Sequence, residues 1–268
     1  RVQGHHLPPH PPPLAGSLPK AAPMAMHAPL TSVSLEESAE ELSRSVERWE
    51  NEGFGYLRNL QQAVRNRGRV ELMRCKQGDD AGRLVAVKRM PNAWVQRGPR
   101  AFEERFPGSS EQPWRDLGIL RELNRRAFPA ACQLLGVFRD DTVTYVVTSL
   151  ATEGELFAWC KKTTCPGRER EALMMPLVRQ TISVVRDLHG HGIAHCDLSL
   201  ENILLTRGDT GDLQVKLIDF GMSSAGRVRQ GGEVGKPSYQ PPEMHLGRMY
   251  DAFLADAFAL GVVFFAMA

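Results

Sequence analysis

The feature that most restricts this chain is one run, Ile193-Ala194-His195-Cys196-Asp197-Leu198-Ser199-Leu200-Glu201-Asn202-Ile203-Leu204-Leu205, followed by Val215-Lys216-Leu217-Ile218-Asp219-Phe220-Gly221. An Asp stands five residues before an Asn, then come an apolar run, a turn, a second apolar run and Asp-Phe-Gly. Each apolar run is strand-length rather than helix-length. The pattern predicts a polar loop, a short hairpin and an Asp carried at the end of the second strand, where hard oxygen donors suit a hard cation. A buried strand–turn–strand with incidental polar residues is the plainer alternative.

The two segments resemble the protein-kinase pair H-R-D-L-x-x-x-N and D-F-G, in order and at the family's separation. The resemblance implies phosphoryl transfer, with the hydroxyl nucleophile oriented and the triphosphate charge neutralised. On that likeness Asp197 accepts the substrate hydroxyl proton, and Asn202 and Asp219 hold Mg²⁺ beside ATP.

The likeness extends over roughly residues 54–268, and it implies an α+β, two-lobed kinase-like fold with nucleotide between the lobes. The β-rich small lobe is expected over 54–150 and a partial helical large lobe over 151–268, with Leu177, Ile182, Val185 and Leu188 marking the helical pattern of residues 153–191. Val85-Ala86-Val87-Lys88 is similar to the third-strand V-A-I-K, so Lys88 would contact the α and β phosphates. In Arg115-Asp116-Leu117-Gly118-Ile119-Leu120-Arg121-Glu122-Leu123, Asp116 falls where the family has Glu. Its side chain is one methylene shorter, so a Lys88–Asp116 pair needs the helix drawn inward. Glu122 is the fallback partner, nearly two turns away on the helix.

Tyr145 to Phe157 resembles the hinge. It implies Thr148 as gatekeeper, backbone groups of Ser149 and Ala151 toward adenine, and Glu155 toward the ribose. Val70, Ala86 and Leu204 would sandwich the adenine. Leu120, Leu134, His195 and Phe220 would stack as an internal spine, anchored by Asp256. Gly235-Lys236-Pro237-Ser238-Tyr239-Gln240-Pro241-Pro242-Glu243 resembles the end of an activation segment.

The chain departs from the family at several points. The three phosphate-loop glycine positions hold Ala63, Arg65 and Gly68, so only Gly68 lets the backbone approach phosphate freely, with Arg65 or Arg67 as substitute charge. Cys196 replaces the Arg that ordinarily pairs with an activation-segment phosphate. Between Met222 and Val234 the only hydroxyls are Ser223 and Ser224, so the two departures agree and predict activity without phosphorylation of this segment. Ser199 replaces the Lys that steadies the γ-phosphate, and Lys236 replaces a Thr near it. A swap is expected, with Lys236 supplying the charge lost at Ser199; two unrelated losses in a decaying site are the rival.

The expected function is therefore an ATP- and Mg²⁺-dependent kinase acting on Ser/Thr hydroxyls of protein substrates. Leu198-Ser199-Leu200-Glu201 does not resemble the Ala-Ala-Arg of tyrosine kinases. The alternative is a pseudokinase serving as a binding or scaffolding module, and the third is a small-molecule kinase, against which Pro241-Pro242-Glu243 argues.

Composition adds bounds. The 268 residues carry a net charge of +2, which gives no case for nucleic acid or an anionic membrane as partner. It is silent on oligomeric state. Five cysteines without metal-ligand spacing read as reduced thiols, suggesting a cytoplasmic setting. The apolar stretch from Ala252 to Ala268 is broken by Asp256 and falls short of the ~20 residues that span a bilayer, so a buried helix is expected. A start at Arg1 rather than Met, and an end inside an apolar run, read as a fragment. Residues 1–30, rich in His, Pro and Ala, are expected to lack structure, with metal binding by histidine a minor possibility. An amphipathic helix is expected within 31–53, with Ser34 and Glu37 as its capping box and Leu42, Val46 and Trp49 on one face.

Overall fold

The computed structural model describes residues 28–62, 68–162 and 165–268. Most of the 1–30 segment, and phosphate-loop positions Ala63, Arg65 and Arg67, fall outside the described residues. In chain order the elements are α1 (Ser32–Arg44), β1 (Glu47–Arg48), β2 (Phe54–Gln62), β3 (Arg69–Cys75), β4 (Leu84–Pro91), α2 (Asn92–Val95), α3 (Pro99–Arg105), α4 (Pro113–Arg125), β5 (Leu134–Arg139) and β6 (Val143–Ser149). They continue with β7 (Gly154–Glu155), α5 (Leu156–Lys162), α6 (Arg168–Gly190), β8 (Ile193–Ala194), β9 (Ile203–Arg207), β10 (Leu213–Leu217), β11 (Ser224–Ala225), β12 (Val228–Gln230), β13 (Met249–Asp251) and α7 (Ala252–Met267).

A six-stranded sheet, ordered β1-β5-β6-β4-β3-β2, and α4 make the small lobe. The rest is mostly helical, giving the two-lobed α+β arrangement. On β4, Val85 and Val87 are fully buried on one face of the sheet, while the alternate residues Ala86 and Lys88 face the other way. The Val85/Val87 face is roofed by Trp49, whose ring stacks on Phe54 at 4.6 Å and on Tyr145 at 4.0 Å between centroids. That choice of face is what turns Lys88 toward the cleft.

Two local expectations are corrected. Helix α1 begins at Ser32 with Thr31 as its cap: the Thr31 hydroxyl accepts the Ser34 N–H, and the Ser34 hydroxyl accepts the Thr31 N–H, so Glu37 is not needed. It ends at Arg44 because Glu47 and Arg48 pair in parallel with Phe138 and Arg139, which puts Val46 and Trp49 beyond the helix. On α6 the buried stripe runs Leu177, Thr181, Val185, Leu188, while Ile182 is 47% exposed. Thr181 tolerates full burial because its hydroxyl donates to the Leu177 carbonyl at 2.8 Å.

The large lobe's centre is the antiparallel hairpin of β9 and β10, with Ile203 opposite Leu217. Ile203, Leu205 and Leu217 are fully buried, packing with α6 and with Leu260 and Val263 of α7. Helix α7 buries Ala255, Asp256, Ala259, Leu260 and Val263 but leaves Leu254, Phe258 and Phe265 exposed, so the expected burial holds for one face. No helix among the described residues is long and apolar enough to cross a membrane.

Candidate active site

Lys88, on β4, donates to Asp116 Oδ2 of α4 at 3.1 Å and lies 3.7 Å from Asp219 Oδ1. The second Asp116 oxygen accepts the Phe220 N–H at 2.9 Å, and the Gln112 N–H before α4 donates to the Gly221 carbonyl at 3.0 Å. One short carboxylate thus ties the lysine, the helix and the Asp-Phe-Gly turn together. Glu122, the fallback, pairs with Arg125 at 2.7 Å instead, because it faces away from the cleft. Burial pulls the Lys88 ammonium down in pKa, but Asp116 and Asp219 outweigh it and leave the group raised, hence charged. Asp219 is held below the usual carboxylate range chiefly by Lys88, against its burial. Its backbone is left-handed, at φ 65°.

Asp197 follows a second left-handed residue, Cys196 at φ 63°. Asn202 Nδ2 donates to the Asp197 carbonyl at 2.7 Å and to Asp197 Oδ2 at 2.9 Å. Asp197 Oδ1 is buried and has no hydrogen-bond partner among the described residues. Burial raises the Asp197 carboxyl, Asp219 adds to the rise, and His195 and Lys236 oppose it. Gly235, at φ +80°, is required here: a Cβ would stand 2.7 Å from the Cys196 carbonyl and 3.2 Å from Asp197 Oδ1.

The donor set fits a hard cation. Asn202 turns its nitrogen to Asp197, its amide oxygen has no hydrogen-bond partner among the described residues, and Asp219 is held toward its ionised form. No group of three His, Cys, Asp or Glu among the described residues could hold a metal unaided. A pair of oxygen donors matches Mg²⁺, which binds through one or two carboxylates plus substrate phosphates.

Lys236 Nζ donates to Ser199 Oγ at 2.6 Å and to Glu201 Oε2 at 2.9 Å. The two positions of the expected swap therefore meet. Glu201 was missed by sequence reasoning; its only signal was an acid within the loop that Lys236 must reach. Burial would raise Glu201, but the hydrogen bond from Lys236 brings it below its ordinary value. If Lys236 supplies the charge Ser199 lacks, Lys236→Ala lowers kcat by about 10²-fold, the lower end of what losing one electrostatic donor costs. Adding Ser199→Lys to Lys236→Ala restores it. Steady-state kinetics on the two variants checks both statements.

The strand ladders place several of the remaining expected residues. Ala86 lies opposite Thr148, Val70 opposite Lys88, and Leu204 opposite Glu155 in their ladders. Thr148 Oγ1 is 3.5 Å from the Ala86 carbonyl. The Ser149 N–H is taken by the Gln133 carbonyl at 2.9 Å, so any adenine contact there falls to its carbonyl. Ala151 is buried at the lobe junction, and Gly68 sits just before β3. Glu155 is raised by burial and by Glu201, so it is a neighbour of the Lys236 group. A cavity of about 360 Å³ lies on the opposite face of the sheet, lined by Trp49, Phe54, Arg69, Glu71 and Arg89, and none of the cleft residues lines it.

Asp256 accepts the His195 and Cys196 N–H groups at 2.7 and 2.8 Å and meets His189 Nε2 at 2.8 Å, fixing the loop from behind. The His195 and Phe220 rings lie 5.2 Å apart above it, with Leu120 and Leu134 packed in the same core. A second residue that sequence reasoning missed is Arg229. It donates to the Met222 carbonyl at 2.8 Å and lies near the Cys196 thiol, which burial pushes up to about 12.

The family described as protein kinase domain matches residues 68–268. A probable myosin light chain kinase of Dictyostelium discoideum is 31% identical over 202 residues, covering 74% of this chain and 46% of the relative. CBL-interacting protein kinase 29 of Oryza sativa subsp. japonica is 34% identical over 191 residues, covering 70% and 40%. Serine/threonine-protein kinase SIK2 of Gallus gallus is 31% identical over 166 residues, covering 60% and 19%. The chain spans less than half the length of each of these three relatives.

Proposed function

The chain belongs to the protein kinase family, and on that premise we propose that it transfers the γ-phosphoryl group of ATP, with Mg²⁺, to Ser or Thr hydroxyls of protein substrates. The observation that carries this reading is the convergence of Asp197, Asn202, Asp219 and an Asp116-held Lys88 on one cleft. The names of the relatives, two of them CBL-interacting protein kinase and serine/threonine-protein kinase, support the substrate class.

In the proposed step the substrate hydroxyl donates its proton to the Asp197 carboxylate. The new O–P bond forms as the bond to ADP breaks, and ADP leaves. Mg²⁺, when bound, would neutralise phosphate charge there. Asn202 and Asp219 would hold it. Lys88 orients the α and β phosphates, and Lys236 faces the transferring group from the Ser199 side. Asn202 fixes the Asp197 carboxylate in position.

Independence from activation-segment phosphorylation is part of the proposal. Ser223 is fully buried, its hydroxyl donating to the His195 carbonyl at 3.0 Å, and Ser224 is paired in β11. Arg229 stands beside Cys196, where the family's own Arg would look for a phosphate. An essential phosphate found in this segment by mass spectrometry would overturn that part.

The test of the main reading is a melting curve with ATP, with and without Mg²⁺, followed by transfer to Ser/Thr peptides. At a hundred times Kd, nucleotide stabilises by about 2.7 kcal/mol, a shift of several degrees. Asp219→Asn is expected to lose the Mg²⁺-dependent part. No shift with either would make the domain a binding module rather than an enzyme.

A further inference from the structure

The face of α4 turned away from Asp116 is occupied by α1. Gly118 lies two residues past Asp116, on the far side of the helix. A Cβ on Gly118 would stand 2.9 Å from the Leu35 carbonyl and 3.2 Å from the Ala39 side chain, so the two helices touch backbone to backbone. Leu35, Ala39 and Leu42 are buried there. Further along the same face, Arg121 donates to the Ser38 carbonyl at 3.0 Å, and Arg121 and Arg125 each reach Glu41 at 3.2 Å. The start of the segment is tied to the large lobe. The Leu30 N–H donates to the His191 carbonyl at 2.7 Å, and Gly192 approaches Pro29 and Leu30 as closely as 3.0 Å by an added Cβ.

We infer that residues 28–44 are a positioning element for the reaction, holding α4 inward so that the short Asp116 side chain reaches Lys88 and the Phe220 N–H at once. The inference rests on the kinase reading for its activity arm only. It joins two features that otherwise stand apart: an acid one methylene shorter than the family's Glu, and a glycine that lets another helix press on the back of α4. Exposed ion pairs such as those of Glu41 contribute little by themselves, so the contact at Gly118 carries the seating.

The test is a double-variant cycle. Gly118→Leu pushes α1 off α4 and is expected to lower kcat/KM for ATP by about 10–10²-fold, the cost of an ångström-scale misplacement. Asp116→Glu in that background recovers most of the loss, because the longer side chain bridges the wider gap. Alone, Asp116→Glu overfills the seated site and lowers activity. Glu41→Lys, on an exposed side chain that does not threaten folding, gives a smaller loss in the same direction, again relieved by Asp116→Glu. Hydrogen exchange without nucleotide supplies a second readout: Gly118→Leu speeds exchange of the α4 amides and of the Phe220 N–H. If Asp116→Glu only adds to the loss, or exchange at Phe220 is unchanged in folded Gly118→Leu, the inference is wrong. Should the native chain transfer no phosphate, the kinase reading fails, and the exchange arm still decides this one.

Discussion

Asp197→Asn is expected to lower kcat on a hydroxyl substrate by about 10²–10⁴-fold, the range contributed by a positioned general base. The asparagine keeps the shape and can still accept from Asn202, but its other terminal group presents N–H bonds in place of Asp197 Oδ1, which has no partner among the described residues. It cannot take a proton. Nucleotide binding is expected to persist, since Lys88 and Asp219 are left in place, and an unchanged melting shift with ATP and Mg²⁺ would show it.

The same substitution bears on stability through pH. Burial raises the Asp197 carboxyl above its unfolded value, so the folded state pays to ionise it. A raised carboxyl means that the native chain binds this proton more tightly than the unfolded one. Stability from this group is therefore greatest below the unfolded pKa and falls as pH rises toward the folded value. At neutral pH, Asp197→Asn removes that penalty and is expected to leave Tm equal or higher while activity collapses. The acid limb of kcat/KM in the native chain should sit above the ~3.9 of an ordinary Asp. A limb at or below that value, or a Tm well below native in Asp197→Asn, would contradict the assignment.

The largest loss of stability is expected at Asp256. It is 1% exposed, and it accepts two backbone N–H groups of the catalytic loop. Asp256→Ala leaves both donors buried with nothing to accept them. At about 1–3 kcal/mol for each orphaned group, the cost is roughly 2–6 kcal/mol. Asp256→Asn keeps one acceptor but turns an amide N–H toward the other donor, so an intermediate loss is expected. Denaturant midpoints order the variants: native, Asn, Ala. Because Cys196 adopts a left-handed backbone, the loop has no relaxed alternative that keeps Asp197 in place. Kinetic loss should accompany the stability loss even where the chain stays folded. A fully active Asp256→Ala would show that something else holds the loop.

Much of the cleft was legible because it follows short-range rules. Alternation along β4 tells which residues share a face with Lys88, and the helix period places Asp116 and Glu122 on different sides of α4. The meeting of Lys236 with Ser199 could be anticipated because the kinase resemblance places these two positions close together and the changes at them are of opposite sense. The rest depends on packing between segments far apart in the chain. Glu201 as the second partner of Lys236, and Arg229 beside Cys196, require the fold of the segment after Gly221, which no local pattern dictates. Trp49 fits a helical stripe with Leu42 and Val46, yet it stacks between two rings of the sheet because the strand pairing of Glu47 and Arg48 ends the helix first. Ile182 was misplaced because a threonine, masked by its hydroxyl, takes the buried position next to it.

The docking of α1 also has a consequence for synthesis. This helix is made before its partners, which are α4 and, for Leu30, the carbonyl of His191. At about 5–20 residues per second, the interval between making Leu30 and making His191 is roughly 10–30 s. For the first part of it, until α4 is made, Leu35, Ala39 and Leu42 have no completed surface to cover them. A segment made early is thus among the last to settle fully: its apolar stripe waits for α4, and its start at Leu30 waits for His191 of the large lobe.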